Sequence, residues 1–137
     1  MQNKPTVSEM NSIPTRYNSS IWSSSPLLHN IENQTYFGRA FVEIWNNDAC
    51  IVTVGNGLVL RKRTLIALQS LNNKNAKIED LQTLRWTLQP ATGEREGQTF
   101  LGRVVVEVWD DETVVGFTGI SPQILSRALK ELVSIIE

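Results

Sequence analysis

The sequence predicts an α+β domain of tandem duplicated β-β-β-α units, packed as an intramolecular pseudo-dimer with an antiparallel sheet. The first observation behind this is an internal repeat. Shifted by 64 positions, residues 20–71 lie on 84–135 without a gap. The run QTYFGRAFVEIWNND at 34–48 falls on QTFLGRVVVEVWDDE at 98–112. Fifteen of 52 positions are identical, where chance would give about three, so the period marks tandem structural units. The second observation is apolar alternation in the shared run, and the third is a helical apolar pattern at the end of each unit.

The chain of 137 residues has room for one domain, and a unit of about 50 residues has too little core to stand alone. Two such units on one chain can pack about a pseudo-twofold axis. Residues 1–19, rich in Asn, Ser, Thr and Pro, read as a flexible polar tail. The domain is then 20–137.

Within each unit the first strand is expected near Trp22 and, in the second copy, at Thr83–Gln89. The second strand spans 35–45 and 99–109, dense in Val, Ile, Phe and Trp. Asn46-Asn47-Asp48 and Asp110-Asp111-Glu112 suit tight hairpin turns into third strands at 49–54 and 113–118. A helix closes each copy. The second is announced by Ser121 and Pro122 and by an apolar face from Ile124 to Ile136. The first is expected near 60–71, with Arg61-Lys62-Arg63 in its first turn, where cations oppose the helix dipole.

Strand alternation puts Gly38, Ala40, Val42 and Ile44 on one face and Arg39, Phe41, Glu43 and Trp45 on the other. The second copy sets Gly102, Val104, Val106 and Val108 against Arg103, Val105, Glu107 and Trp109. If the two long strands pair antiparallel with Phe41 opposite Val105, Arg39 faces Glu107 and Glu43 faces Arg103. That arrangement explains why both charges recur, each cross-strand pair contributing roughly 0.2–1 kcal/mol. The alternative is that each charge is solvated or paired within its own unit.

Composition excludes several classes of function. Thirteen Lys+Arg against 14 Asp+Glu give a formal charge of -1, so the chain as a whole has no electrostatic bias toward nucleic acid or anionic membrane. No apolar run approaches the roughly 20 residues that span a bilayer, and residues 1–11 lack the apolar core of a secretory signal. The single cysteine, Cys50, forms no internal disulfide, which fits a cytoplasmic location. There is no Cys/His cluster, no nucleophile with an adjacent base and no pair of catalytic carboxylates. Neither enzymatic activity, nor a metal, nor a cofactor is expected. The Asp110-Asp111-Glu112 run reads as a polar hairpin tip, and His29 as a loop residue.

Two functions follow from what remains. The first is a non-enzymatic interaction protein, an adaptor or accessory subunit of a larger assembly such as a pilus, secretion or transcription machine. It would bind protein partners and allow further homo-oligomerisation through strand edges. The second is a single-stranded nucleic-acid binder, with Arg39, Arg61, Lys62, Arg63 and Arg103 on phosphates and Trp45 or Trp109 stacking on bases. Gly55-Asn56-Gly57 before the basic run offers a weak phosphate-binding turn. Gly57-Leu58-Val59-Leu60 and Gly119-Ile120-Ser121, each leading into a helix, give an architecture that resembles the single-stranded-DNA-binding transcriptional coactivators and Whirly proteins. In those families strands precede a helix and two such units combine around basic, aromatic grooves, with four strands per unit instead of the three read here. Clustered arginines around an exposed tryptophan would favour the nucleic-acid reading, and arginines bridged to Glu43 and Glu107 the protein-interaction reading.

Overall fold

In the computed structural model, residues 25–71, 76–80, 90, 95–119 and 121–136 are described. The expected first strands, near Trp22 and at Thr83–Gln89, lie outside them, as does the polar stretch 1–19.

Two hairpins form the centre. Strand β1 (Tyr36–Trp45) turns into β2 (Ala49–Gly55), and β4 (Phe100–Trp109) turns into β5 (Thr113–Thr118). The turns close alike: the Trp45 N–H donates to the Asp48 carbonyl at 2.8 Å, and the Trp109 N–H to the Glu112 carbonyl at 2.9 Å. Helix α1 (Gly57–Gln69) follows the first hairpin and α2 (Ser121–Ile136) the second. A short strand, β3 (Ala76–Asp80), lies between the two halves of the chain.

All five strands belong to one sheet in the order β2-β1-β4-β5-β3. It is mixed, and this corrects the expected antiparallel sheet. β3 runs parallel to β5, pairing Ile78 with Val115 at the sheet edge. Its sequence, AKIED, is too short and too charged to show a period of two. The fold is thus α+β: one mixed five-stranded sheet with two helices.

Both helices cover the same face. Ala40, Val42 and Ile44 of β1 and Val104, Val106 and Val108 of β4 form one buried cluster with Leu60 and Leu68 of α1 and Ile124 and Leu132 of α2. The apolar side of the alternation therefore supplies the main core.

Helix α1 begins earlier than expected. Asn56 is its N-cap, in extended backbone geometry, and its side-chain oxygen accepts from the Val59 N–H at 3.3 Å. Arg61-Lys62-Arg63 consequently sits in the second turn, past the free amides that would hold a phosphate.

Two glycine pairs let the strands of each hairpin approach closely where the helix follows. Gly38 and Gly55 face one another across β1 and β2. A Cβ at Gly38 would lie 2.2 Å from the Val54 carbonyl oxygen, and one at Gly102 2.1 Å from that of Thr118. Gly102 also holds a φ of +149°, a conformation that side chains resist. Replacement of Gly102 by Ala is therefore expected to cost more than about 3 kcal/mol, combining backbone strain with a backbone clash. Gly97→Ala, at a φ of +76° with open space around it, should cost only about 1–2 kcal/mol. Urea denaturation of the two variants checks the ordering.

Candidate functional site

The seam between the two halves of the chain is β1 against β4, antiparallel, with Phe41 opposite Val105, Arg39 opposite Glu107 and Glu43 opposite Arg103. Bulges near both ends, at Tyr36/Gly38 and Ile44/Trp45, end the regular pairing. On the face away from the helices, all eight alternating side chains, from Arg39 to Trp45 and from Arg103 to Trp109, are buried.

Four of these are charged and wholly inaccessible. Arg39 Nη1 lies 3.5 Å from Glu107 Oε2, and Arg103 Nη1 lies 3.3 Å from Glu43 Oε2. Such desolvation is tolerable only with partners on most polar atoms. Glu107 receives the N–H of Leu27 at 2.6 Å on Oε2 and that of Leu28 at 3.0 Å on Oε1. Arg39 Nη2 donates to the Ser25 carbonyl. The segment 25–29 is thus tied onto this face by charge-assisted hydrogen bonds.

Aromatic rings flank the guanidinium groups. Tyr36 packs on Trp109 with ring centroids 5.0 Å apart, and Phe100 packs on Trp45 at 5.3 Å. Arg39 stands 5.7 Å from the Tyr36 ring and Arg103 5.2 Å from that of Phe100, within cation–π range. Burial pushes the Glu107 carboxyl up from its ordinary range, against the amides of Leu27 and Leu28 and the Arg39 charge, which pull it down. It pushes Arg103 down, with Glu43 opposing. Desolvation likewise raises the Tyr36 phenol. Water exclusion is the dominant influence throughout.

A second set of contacts ties each helix to the opposite hairpin. Arg63 of α1 donates to the Trp109 carbonyl at 2.7 Å, and Arg127 of α2 donates to the Trp45 carbonyl at 2.5 Å and the Asp48 carbonyl at 3.1 Å. Beside these contacts lie two small clefts whose linings correspond across the repeat: Arg63, Ser70 and Glu112 in one, Arg127, Ser134 and Asp48 in the other. Of these, Glu112 is engaged with Lys77 at 3.2 Å and Asp48 with Arg95.

The structure thus divides the candidate residues. Arg39, Arg103, Trp45 and Trp109 converge on one buried layer, where none can reach a phosphate or a base in this conformation. Arg63 is bound to a carbonyl across the seam. Arg61 and Lys62 remain at the surface of α1, apart from the layer. Cys50 is buried, and His29 lies 3.6 Å from Glu79. Among the described residues no group of His, Cys, Asp and Glu could hold a metal ion.

Sequence reasoning missed Tyr36, Phe100, Asp48 and Arg127 as parts of this arrangement. The signal was present for three of them: Tyr36 and Phe100 stand at one repeat position, and Arg127 shares another with Arg63. An identity kept at a position outside the helix's apolar face needs a partner elsewhere.

No protein-family model, curated protein or solved structure matches the chain.

Removal of one charge from the seam should leave its partner buried and unpaired. Arg39→Met and Glu107→Gln are each expected to lose about 3–5 kcal/mol of stability. The double variant should lose less than the two combined, with a coupling of about 1–3 kcal/mol in a double-mutant cycle by urea denaturation.

Proposed function

We propose that the chain is a non-enzymatic interaction protein, an adaptor or accessory subunit of a protein assembly, built as a covalent pseudo-dimer of two repeats. The pseudo-dimer reading is supported by the correspondence of contacts 64 residues apart. The two ion pairs, the two ring pairs, the two arginine-to-carbonyl bonds and the glycine pairs all obey it. The ion pairs, ring pairs and arginine-to-carbonyl bonds hold one half of the chain to the other, and the glycine pairs close each hairpin.

The observation that carries the functional reading is the use of Arg39 and Arg103 inside the fold. Both are wholly buried against Glu107 and Glu43. A single-stranded nucleic-acid site needs solvent-facing cations beside solvent-facing rings. Here the two tryptophans of the described residues are 2% and 3% exposed. Arg61 and Lys62 alone remain of the proposed phosphate contacts, with no exposed ring of β1 or β4 tryptophan beside them. No helix of the described residues is long and apolar enough to cross a membrane. A cytoplasmic assembly is the setting this reading implies.

Tagged full-length protein, isolated from its native cell with and without nuclease, tests the reading. Protein partners at fixed stoichiometry that survive nuclease are the expected result. Enrichment that collapses with nuclease would replace it with the nucleic-acid reading.

A further inference from the structure

We propose that the outward face of α1 docks a partner segment that is apolar and carries carboxylates. The proposal rests on the protein-interaction reading above and names where such a partner sits.

Leu58 is 56% exposed, Val59 40% and Ile66 58%. With Lys62 and Gln69, also exposed, they form one stripe along the helix, at spacings of one, four, eight and eleven residues from Leu58. Leu58 and Ile66 stand about 12 Å apart along the axis. The opposite side of α1 already fills the core through Leu60, Ala67 and Leu68. A helix that is apolar on both sides is normally covered on both sides.

The other repeat provides an internal control. At the positions of Leu58, Val59, Lys62 and Ile66, helix α2 carries Pro122, Gln123, Ser126 and Lys130, all exposed. Inward positions are equivalent: Leu60 matches Ile124, and Leu68 matches Leu132, all buried. The same fold position therefore accepts Gln and Lys without loss of the core contacts. The three large apolar side chains on α1 are not needed for the core contacts, and each leaves hydrocarbon in water. Among the described residues nothing covers them.

Charge selects the occupant. Helix α1 contains Arg61, Lys62 and Arg63 and no acidic residue. Arg63 is engaged with the Trp109 carbonyl, which leaves Arg61 and Lys62 beside the apolar stripe. Antiparallel packing of two copies through this face would set Lys62 near its own counterpart, a like-charge contact that specific interfaces avoid. A segment with apolar anchors and flanking Asp or Glu complements both features, in the manner of a helix laid along an apolar surface. An anionic bilayer would find only three apolar side chains to insert, on a chain whose formal charge is -1.

The test uses a display library of randomised 16-residue peptides, selected on the full-length protein and counter-selected on V59Q/I66K. Both substitutions install the residues that α2 carries at those positions, so the fold should tolerate them, and circular dichroism melting checks that it does. L58Q is the second variant. Selected peptides are expected to be apolar and acidic, to bind the double variant at least about tenfold more weakly, and to weaken when their Glu residues become Gln. Selection of basic or uncharged peptides, or equal binding to wild type and variants, overturns the proposal. So does phosphatidylserine vesicle binding that depends on Val59 and Ile66. A dimer in light scattering that V59Q/I66K dissociates would assign the face to a second copy and overturn it as well. If the nuclease-resistant partner of the wild-type protein is retained in full by V59Q/I66K, the docking face is wrong while the interaction reading stands. Absence of any such partner for the wild type removes the interaction reading itself.

Discussion

The rest of the structure depends on two buried ion pairs across the central seam. Their force lies in what they forbid. A slip of one residue between β1 and β4 would carry Arg39 and Glu43 onto the helix face, among Val and Ile. A slip of two would set the four charges opposite apolar or aromatic residues. A slip of four would place Arg39 opposite Arg103 or Glu43 opposite Glu107, depending on its direction. Only the observed register, with Arg39 at Glu107 and Glu43 at Arg103, leaves no buried charge alone. Net stabilisation from such pairs is small, because desolvation takes back most of the Coulomb gain. Specification of register is the larger effect.

Once the seam is set, the remaining contacts follow from it. Trp45 and Trp109 end their strands where the other copy's Phe100 and Tyr36 begin, so each ring pair closes one end of the seam. Each helix leaves its own hairpin and lies over the shared sheet, close enough for Arg63 and Arg127 to reach the backbone of the opposite hairpin. Neither half can form these bonds by itself. A segment of about 50 residues has too little core to stand alone, and the buried cluster draws on both halves.

Correspondence between the halves is close inside and loose outside. Buried positions repeat as Leu60 and Ile124, Ala40 and Val104, or as identities such as Val42 and Val106. The outer helix surfaces differ in kind, Leu58, Val59 and Ile66 against Pro122, Gln123 and Lys130. Among the described residues, β3 lines β5 with Lys77, Glu79 and a parallel register, and its charges suit an edge that resists further pairing. Packing constrains the interior of both halves equally, whereas solvent-facing positions are free to take separate tasks.

By itself the sequence determined the repeat, the hairpins, the second helix and the alternation that separates the two sheet faces. These are local or periodic properties, written in the order of residues and readable from spacing alone. It also held the complementarity of Arg39 with Glu107 and Glu43 with Arg103, as one of two arrangements the pattern allowed. Tertiary structure decided that this face is buried and not a groove, because burial depends on segments distant in the chain, such as residues 25–29, folding over it. It decided the parallel edge strand Ala76–Asp80, which five mixed residues cannot announce, and the start of α1 at Gly57, which the Asn56 cap controls. It decided as well that Arg63 and Arg127 serve the seam while Leu58, Val59 and Ile66 face water. Periodicity tells which residues share a face; only the packed chain shows what covers it.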